Sequence, residues 1–238
     1  MDYEELNYQS VPTRELKVSA AFPALMRKVY VWMALALVIT GFTAYVVATN
    51  ETILSLIYSS RGVIWGLAIA EFAIVIGVTA AINRLSLPVA TLLFVLYSVI
   101  NGALLSSIFF VYTTSSIATV FFITAGTFAA MSIYGYTTKS DLTSWGKILI
   151  MALIGLIVAS IVNIFMKSSG LELIISYIGV LIFVGLTAYD TQKIKEMFMQ
   201  APDASESMQK YALLGALSLY LDFINLFIYL LRIFGRRE

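Results

Sequence analysis

The chain has 238 residues, 60% hydrophobic and only 12% charged, with formal net charge +1 and mean hydropathy +0.90. A soluble domain carries roughly twice that charged fraction, so the composition excludes one, and the near-zero net charge offers no basic field for nucleic acid. Cys and His are both absent, which removes disulfides, thiol catalysis, His-ligated metals or haem, and the usual triads; any chemistry must run on carboxylates, Lys/Arg, hydroxyls and amides.

Residues 1–26 are polar, with Asp2, Glu4, Glu5, Arg14 and Lys17, and lack the apolar core and cleavage site of a secretory signal. They read as a tail without fixed structure, with at most a short interfacial helix near Phe22. Residues 27–238 form one transmembrane domain. Apolar runs at about 27–48, 62–82, 88–111, 116–136, 146–166, 171–190 and 211–232 are each long enough to cross a bilayer as a helix. The fold class is therefore an all-α membrane protein, a bundle of seven transmembrane helices.

Span two opens on Gly62 and Gly66 in GxxxG spacing and holds Glu71 halfway along; Arg84 follows it. Asn101 in span three and Asn163 in span five are polar amides suited to interhelical hydrogen bonds. Gly41, Gly77, Gly102, Gly126, Gly155, Gly179 and Gly185 lie inside spans, where small residues let backbones approach closely. Span six ends at Asp190 in GLTAYDTQKIKEM, and the longest loop, about 191–210, carries Pro202, Asp203, Ser205 and Glu206 as turn or helix-start residues.

Span seven, ALSLYLDFINLFIYLLR (216–232), keeps an aspartate near its middle and an arginine at its end. Glu71, Asp190, Asp222 and Arg232 are the charges inside or at the edge of spans. Each costs on the order of 2.5–3.5 kcal/mol at a helix centre and so needs a partner or water. At about 100° per residue, Ser218, Asp222, Asn225, Tyr229 and Arg232 share a stripe about 80° wide. Such a seam faces protein or water, either as hydrogen-bonded glue between helices or as a path for ions or protons.

Antiparallel neighbours joined by one loop usually pack together, so Asp190 and Asp222 can meet. Two carboxylates in contact cannot both ionise freely, which makes a proton-sensitive switch without histidine. Alternatively, Asp190 is a helix-end acid solvated at the interface or paired with Lys193. Glu71 and Arg232 could neutralise each other; alternatively Arg232 snorkels to head groups beside Arg236 and Arg237. With the N-terminus cytoplasmic, ten Lys and Arg lie inside and five outside. That topology leaves three arginines of the C-terminus outside, against the rule, unless span seven fails to cross.

ALSLYLDFINLFIYLLRIFG (216–235) and LTAYDTQKI (186–194) resemble the last two helices of the Bax inhibitor-1 family, and NIF (163–165) with the seven evenly spaced spans extends the likeness over about 25–235. The resemblance implies a seven-helix bundle with the last helix central, acting as a pH-sensitive calcium leak channel of a bacterial inner membrane. Asp190 and Asp222 match the family's di-aspartyl pH sensor and would contact Ca²⁺ weakly. Arg84 is the nearest match to an arginine that latches one aspartate, with its register shifted by about two residues; Glu71 and Arg232 match an ion pair. The resemblance also implies stress survival and a membrane-bound protease as partner. No cofactor is expected; Ca²⁺ is cargo, and the bilayer and protons are the other partners. The alternative is a non-transporting regulator of a membrane protease or a stress or death pathway. No enzyme is expected: Tyr189–Asp190 resembles the YD motif of presenilin-like proteases, but Asp222 follows Leu219-Tyr220-Leu221 instead of the GxGD glycines.

Overall fold

Nothing in hydrocarbon can satisfy a bare backbone N–H or C=O, so each apolar run closes its hydrogen bonds within a helix. The computed structural model describes residues 3–201 and 203–237, with side chains from residue 21 onward. In chain order the helices are α1 (Tyr3–Thr49), α2 (Glu51–Tyr58), α3 (Arg61–Ala81), α4 (Leu87–Leu105), α5 (Thr114–Thr137), α6 (Thr143–Met166), α7 (Ser169–Met199) and α8 (Glu206–Phe234). A 3-10 segment, Ser106–Phe110, extends α4. Seven of the helices among the described residues are long and apolar enough to span a membrane, the first through Ala21–Thr49. Helix α1 continues back through the residues read as a tail, so the boundary at 26/27 falls inside a helix. The short α2 lies in a stretch read as loop, capped by Asn50, whose side chain accepts from the Ile53 N–H.

Helix α8 is the axis of the bundle: 67% of its most apolar stretch is buried, against 44% or less in every other span. It packs on α7, α1, α5 and α4. Helices α3 and α6 are peripheral, with 6% buried in each; α3 leans on α4 and α2, and α6 on α7. The C-terminus lies beside the α4–α5 connection: Thr113 N–H donates to Arg236 O, and Arg236 N–H donates to Ser116 Oγ. Span seven therefore crosses the whole bundle, and Arg236 and Arg237 sit at the end opposite Arg84.

Helix α7 runs nine residues past the expected end at 190, so Asp190 lies within a helix and not at its terminus. The hydropathy signal stops there because Gln192, Lys193 and Lys195 follow, although Thr191, Gln192, Ile194 and Phe198 are still buried. Gln192 explains the tolerance. Its Oε1 accepts from the Leu142 N–H at 2.8 Å and its Nε2 donates to Ser140 O at 2.8 Å, tying α7 to the α5–α6 loop. Gln192→Ala leaves the Leu142 N–H without its acceptor and is expected to cost about 1–3 kcal/mol, read as a fall in thermal midpoint in detergent.

The glycines divide. A Cβ on Gly102 would meet the Thr40 backbone, on Gly135 the Ala188 backbone, on Gly179 the Tyr229 ring and on Gly185 the Leu149 side chain. Gly41, Gly66, Gly77, Gly126 and Gly155 have nothing within 4 Å, and Gly62 meets only Ser60 Oγ at 3.4 Å. Within one chain, therefore, close approach does not explain the GxxxG pair. Asn163 is not interhelical glue across the bundle either: its Oδ1 accepts from the Ser168 N–H at 3.1 Å, closing the turn from α6 to α7.

Candidate functional site

The α7–α8 pair brings the two aspartates together. Asp222 is 5% exposed, and its Oδ2 has no hydrogen-bond partner among the described residues. Asp190, half-buried on α7, lies close enough for its charge to act on Asp222. Ser218, one turn before Asp222 on α8, donates its hydroxyl to Asp190 Oδ2. Lys193 acts on Asp190 through its charge, and no close ion pair between them is seen among the described residues; its Nζ lies 5.8 Å from the centre of the Tyr189 ring.

Asp190, Ser218 and Lys193 line a cleft of about 260 Å³ whose other walls include Val75 and Thr79 of α3 and Tyr211 of α8. The cleft exists because α3 packs on α4 and α2, leaving space between α3, α7 and α8. It lies towards the end that carries the α3–α4 and α7–α8 loops. The stripe predicted on span seven follows the less buried line of α8: Ser218, Asn225 and Tyr229 are half-buried, Arg232 is exposed, and Asp222 alone is buried. Asn225 Nδ2 donates to its own helix at Leu221 O (2.8 Å), so it is not free to bridge helices through that group.

Arg84 is not brought to either aspartate. It is exposed on the α3–α4 loop, whose neighbours are stitched to the start of α8: Tyr211 donates to Asn83 Oδ1 at 3.0 Å, Lys210 to Leu85 O at 3.0 Å, and the Leu87 N–H to Glu206 Oε1 at 3.1 Å. The latch expected of Arg84 is not made in this conformation. Pro202, read as a turn residue, lies outside the described residues; beside it the Ser205 N–H donates to Asp203 Oδ1 at 3.0 Å.

The Glu71–Arg232 pair is not formed. Asn101 Nδ2 of α4 donates to Glu71 Oε1, and Tyr220 Oη donates to Asn101 Oδ1 at 3.0 Å, which puts Glu71 level with Tyr220. Arg232 is twelve residues further along α8, about 18 Å at the helical rise, beyond the reach of its side chain. Its guanidinium instead lies 5.5 Å from the Tyr229 ring centre and lines a pocket with Asn163 and Glu172. A double-mutant cycle of Glu71→Gln with Arg232→Gln is expected to be additive within about 0.5 kcal/mol, measured by thermal unfolding; a larger coupling would restore the pair.

The Asn101–Tyr220 link was not read from the sequence. Tyr220 sits on the apolar side of α8 by periodicity, and its hydroxyl gave no sign of a partner. The one available signal was Asn101 itself, a costly amide in a span that also needs a partner.

A sequence model described as "Inhibitor of apoptosis-promoting Bax1" matches residues 23–238. The chain is 52% identical over 220 residues to the "Inner membrane protein YbhL" of Escherichia coli (strain K12), covering 92% of this chain and 94% of that one. It is 48% identical over 213 residues to an uncharacterized protein of Borreliella burgdorferi, covering 90% and 92%. It is 39% identical over 213 residues to an uncharacterized membrane protein of Streptococcus pyogenes serotype M1, covering 89% and 92%.

Proposed function

The chain belongs to the Bax inhibitor-1 family, and from that premise we infer that it is a pH-sensitive calcium leak channel whose sensor is the Asp190–Asp222 pair. One observation carries this: a buried carboxylate oxygen of Asp222 without a partner, beside a second carboxylate that lines a cleft. A carboxylate that served only as glue between helices would have its oxygens filled.

With one proton between them, the aspartates carry a single negative charge and Asp190 keeps the Ser218 bond. Loss of that proton places two charges in a confined site, which favours either entry of a cation or separation of α7 from α8. Carboxylate and hydroxyl oxygens are the hard ligands Ca²⁺ prefers, and a set this small suits transient contact during passage more than storage. Arg84 would act as a latch only in a second conformation, in which the α3–α4 loop moves over the cleft.

The E. coli relative is named as an inner membrane protein, and we place this chain in an equivalent membrane with its N-terminus cytoplasmic, as the ten-to-five distribution of Lys and Arg favours. Purified protein in liposomes should release trapped Ca²⁺ faster than protein-free liposomes, at a rate that depends on pH. Leak equal to that of empty liposomes at every pH from 5 to about 8, the range of ordinary proton switches, would overturn the assignment.

A further inference from the structure

Glu71 is a half-buried carboxylate in mid-span, and among the described residues no Lys or Arg pairs with it. The titratable groups facing it are Tyr97 from α4, whose hydroxyl also hydrogen-bonds to the Glu71 carboxyl, and Tyr220 from α8. Helix α2, the other neighbour of α3, presents Tyr58, whose hydroxyl is engaged with the Ala103 and Leu104 carbonyls at 3.4 and 3.3 Å. An unpaired intramembrane carboxylate is costly when ionised, and its surroundings show how the cost is met.

Glu71 belongs to a continuous chain of hydrogen bonds across four helices, α1, α8, α4 and α3. Thr40 Oγ1 lies 2.7 Å from Tyr220 Oη and 3.0 Å from Ser98 O. Tyr220 Oη bonds to Asn101 Oδ1, and Asn101 Nδ2 to Glu71. Tyr220 and Ser98 are 0% exposed and Thr40 is 3% exposed, so water cannot fill a missing bond. Each hydroxyl has one proton to give, and the amide has a donor end and an acceptor end. Those limits leave the chain two complete arrangements.

With Glu71 ionised, every donor points towards it: Thr40 to Tyr220, Tyr220 to Asn101, Asn101 to the carboxylate. With Glu71 protonated, every donor points away: the acid O–H to Asn101 Oδ1, the turned amide to Tyr220 Oη, Tyr220 to Thr40, and Thr40 to the Ser98 carbonyl. The Ser98 carbonyl lies at the right distance to receive that last proton. Each arrangement keeps a donor and an acceptor at every link of the chain, and Tyr97 can donate to the second Glu71 oxygen in both.

We propose that Glu71 is a second proton-binding site, separate from the aspartates, and that protonation reverses the donor direction of the Asn101–Tyr220–Thr40 chain. One proton is taken up at the Glu71 carboxylate, the amide turns, and two hydroxyl protons rotate; no bond between helices is lost. The charge at mid-membrane thus changes by one while α3, α4, α8 and α1 stay tied together.

Infrared pH-difference spectroscopy of the reconstituted full chain tests this without any ion flux, so it stands apart from the leak assignment. Asp190→Asn with Asp222→Asn removes the sensor pair. A buried carboxyl C=O band that titrates should persist in that variant and disappear when Glu71→Gln is added, while bands of exposed carboxyls stay. The Tyr220 ring C–O mode should shift with the same midpoint and be lost in Tyr220→Phe. Thr40→Val, which removes only the far end of the chain, should move that midpoint without removing the Glu71 band. A spectrum unchanged by Glu71→Gln, or a Tyr220 mode that does not follow the Glu71 band, would overturn the proposal.

Discussion

Asp222→Asn is expected to flatten the pH profile of calcium leak while the chain stays folded. The amide is the same size as the carboxylate, so the packing of α7 on α8 is kept. What it cannot do is gain or lose a proton. In the wild type, leak should change by at most about tenfold per pH unit on the limb where the shared proton is exchanged, the slope one proton allows. In Asp222→Asn the same interval should change leak by less than about twofold, since no proton at this position links pH to state. Asp190→Asn should flatten the profile too, and it also replaces the acceptor of the Ser218 hydroxyl. Ser218→Ala should keep the pH dependence but shift its midpoint, because it removes a bond to one charge state and leaves both carboxyls in place. Stopped-flow dye measurements on liposomes at matched protein density separate these outcomes. A steep profile retained in both Asp→Asn variants would place the sensor elsewhere, with Glu71 the first candidate.

Gly135→Ala is expected to destabilise the bundle by about 1–3 kcal/mol, the usual cost of overpacking. The added Cβ would collide with the Ala188 carbonyl oxygen and lie 2.9 Å from its Cα. Those are backbone atoms, and no rotamer can move them aside. Helix α7 must shift from α5, and Asp190 lies two residues beyond the contact. Gly126→Ala on the same helix is the control. Nothing lies within 4 Å of a Cβ there, so the change should stabilise the helix by up to about 1 kcal/mol through its propensity. Opposite signs for one chemical change on one helix should appear as opposite shifts in thermal midpoint. Equal shifts would mean that the α5–α7 crossing is looser than the geometry states.

Hydropathy located the spans well because the bilayer imposes it residue by residue: charge is excluded from each helix regardless of what the helix touches. The same property hid the end of α7. Past Asp190 the helix is amphipathic, held by buried Thr191, Ile194 and Phe198 and by the Gln192 bonds, and no apolar run marks it. The pairing of Asp190 with Asp222 was legible because consecutive antiparallel helices usually pack together, although the connection read as the longest loop is short once α7 is seen to reach Met199. Glu71 with Arg232 was a pairing by charge alone; it failed because α3 does not pack along α8 and twelve residues separate the levels of the two groups.

From its letters alone, this protein is a membrane chain of seven spans, lacking thiol and imidazole, with a polar line on its last helix that includes Asp222. Those features follow from composition and from the 3.6-residue period, which act on each helix separately. Which side chain meets which was settled only by helix packing. It left Asp222 with an oxygen that has no partner among the described residues beside Asp190, linked Glu71 through Asn101 to Tyr220, and put Arg84 exposed on the α3–α4 loop. The physical reason is geometric: a period assigns a residue to a face, but the rotation, tilt and depth of two helices together decide its partner.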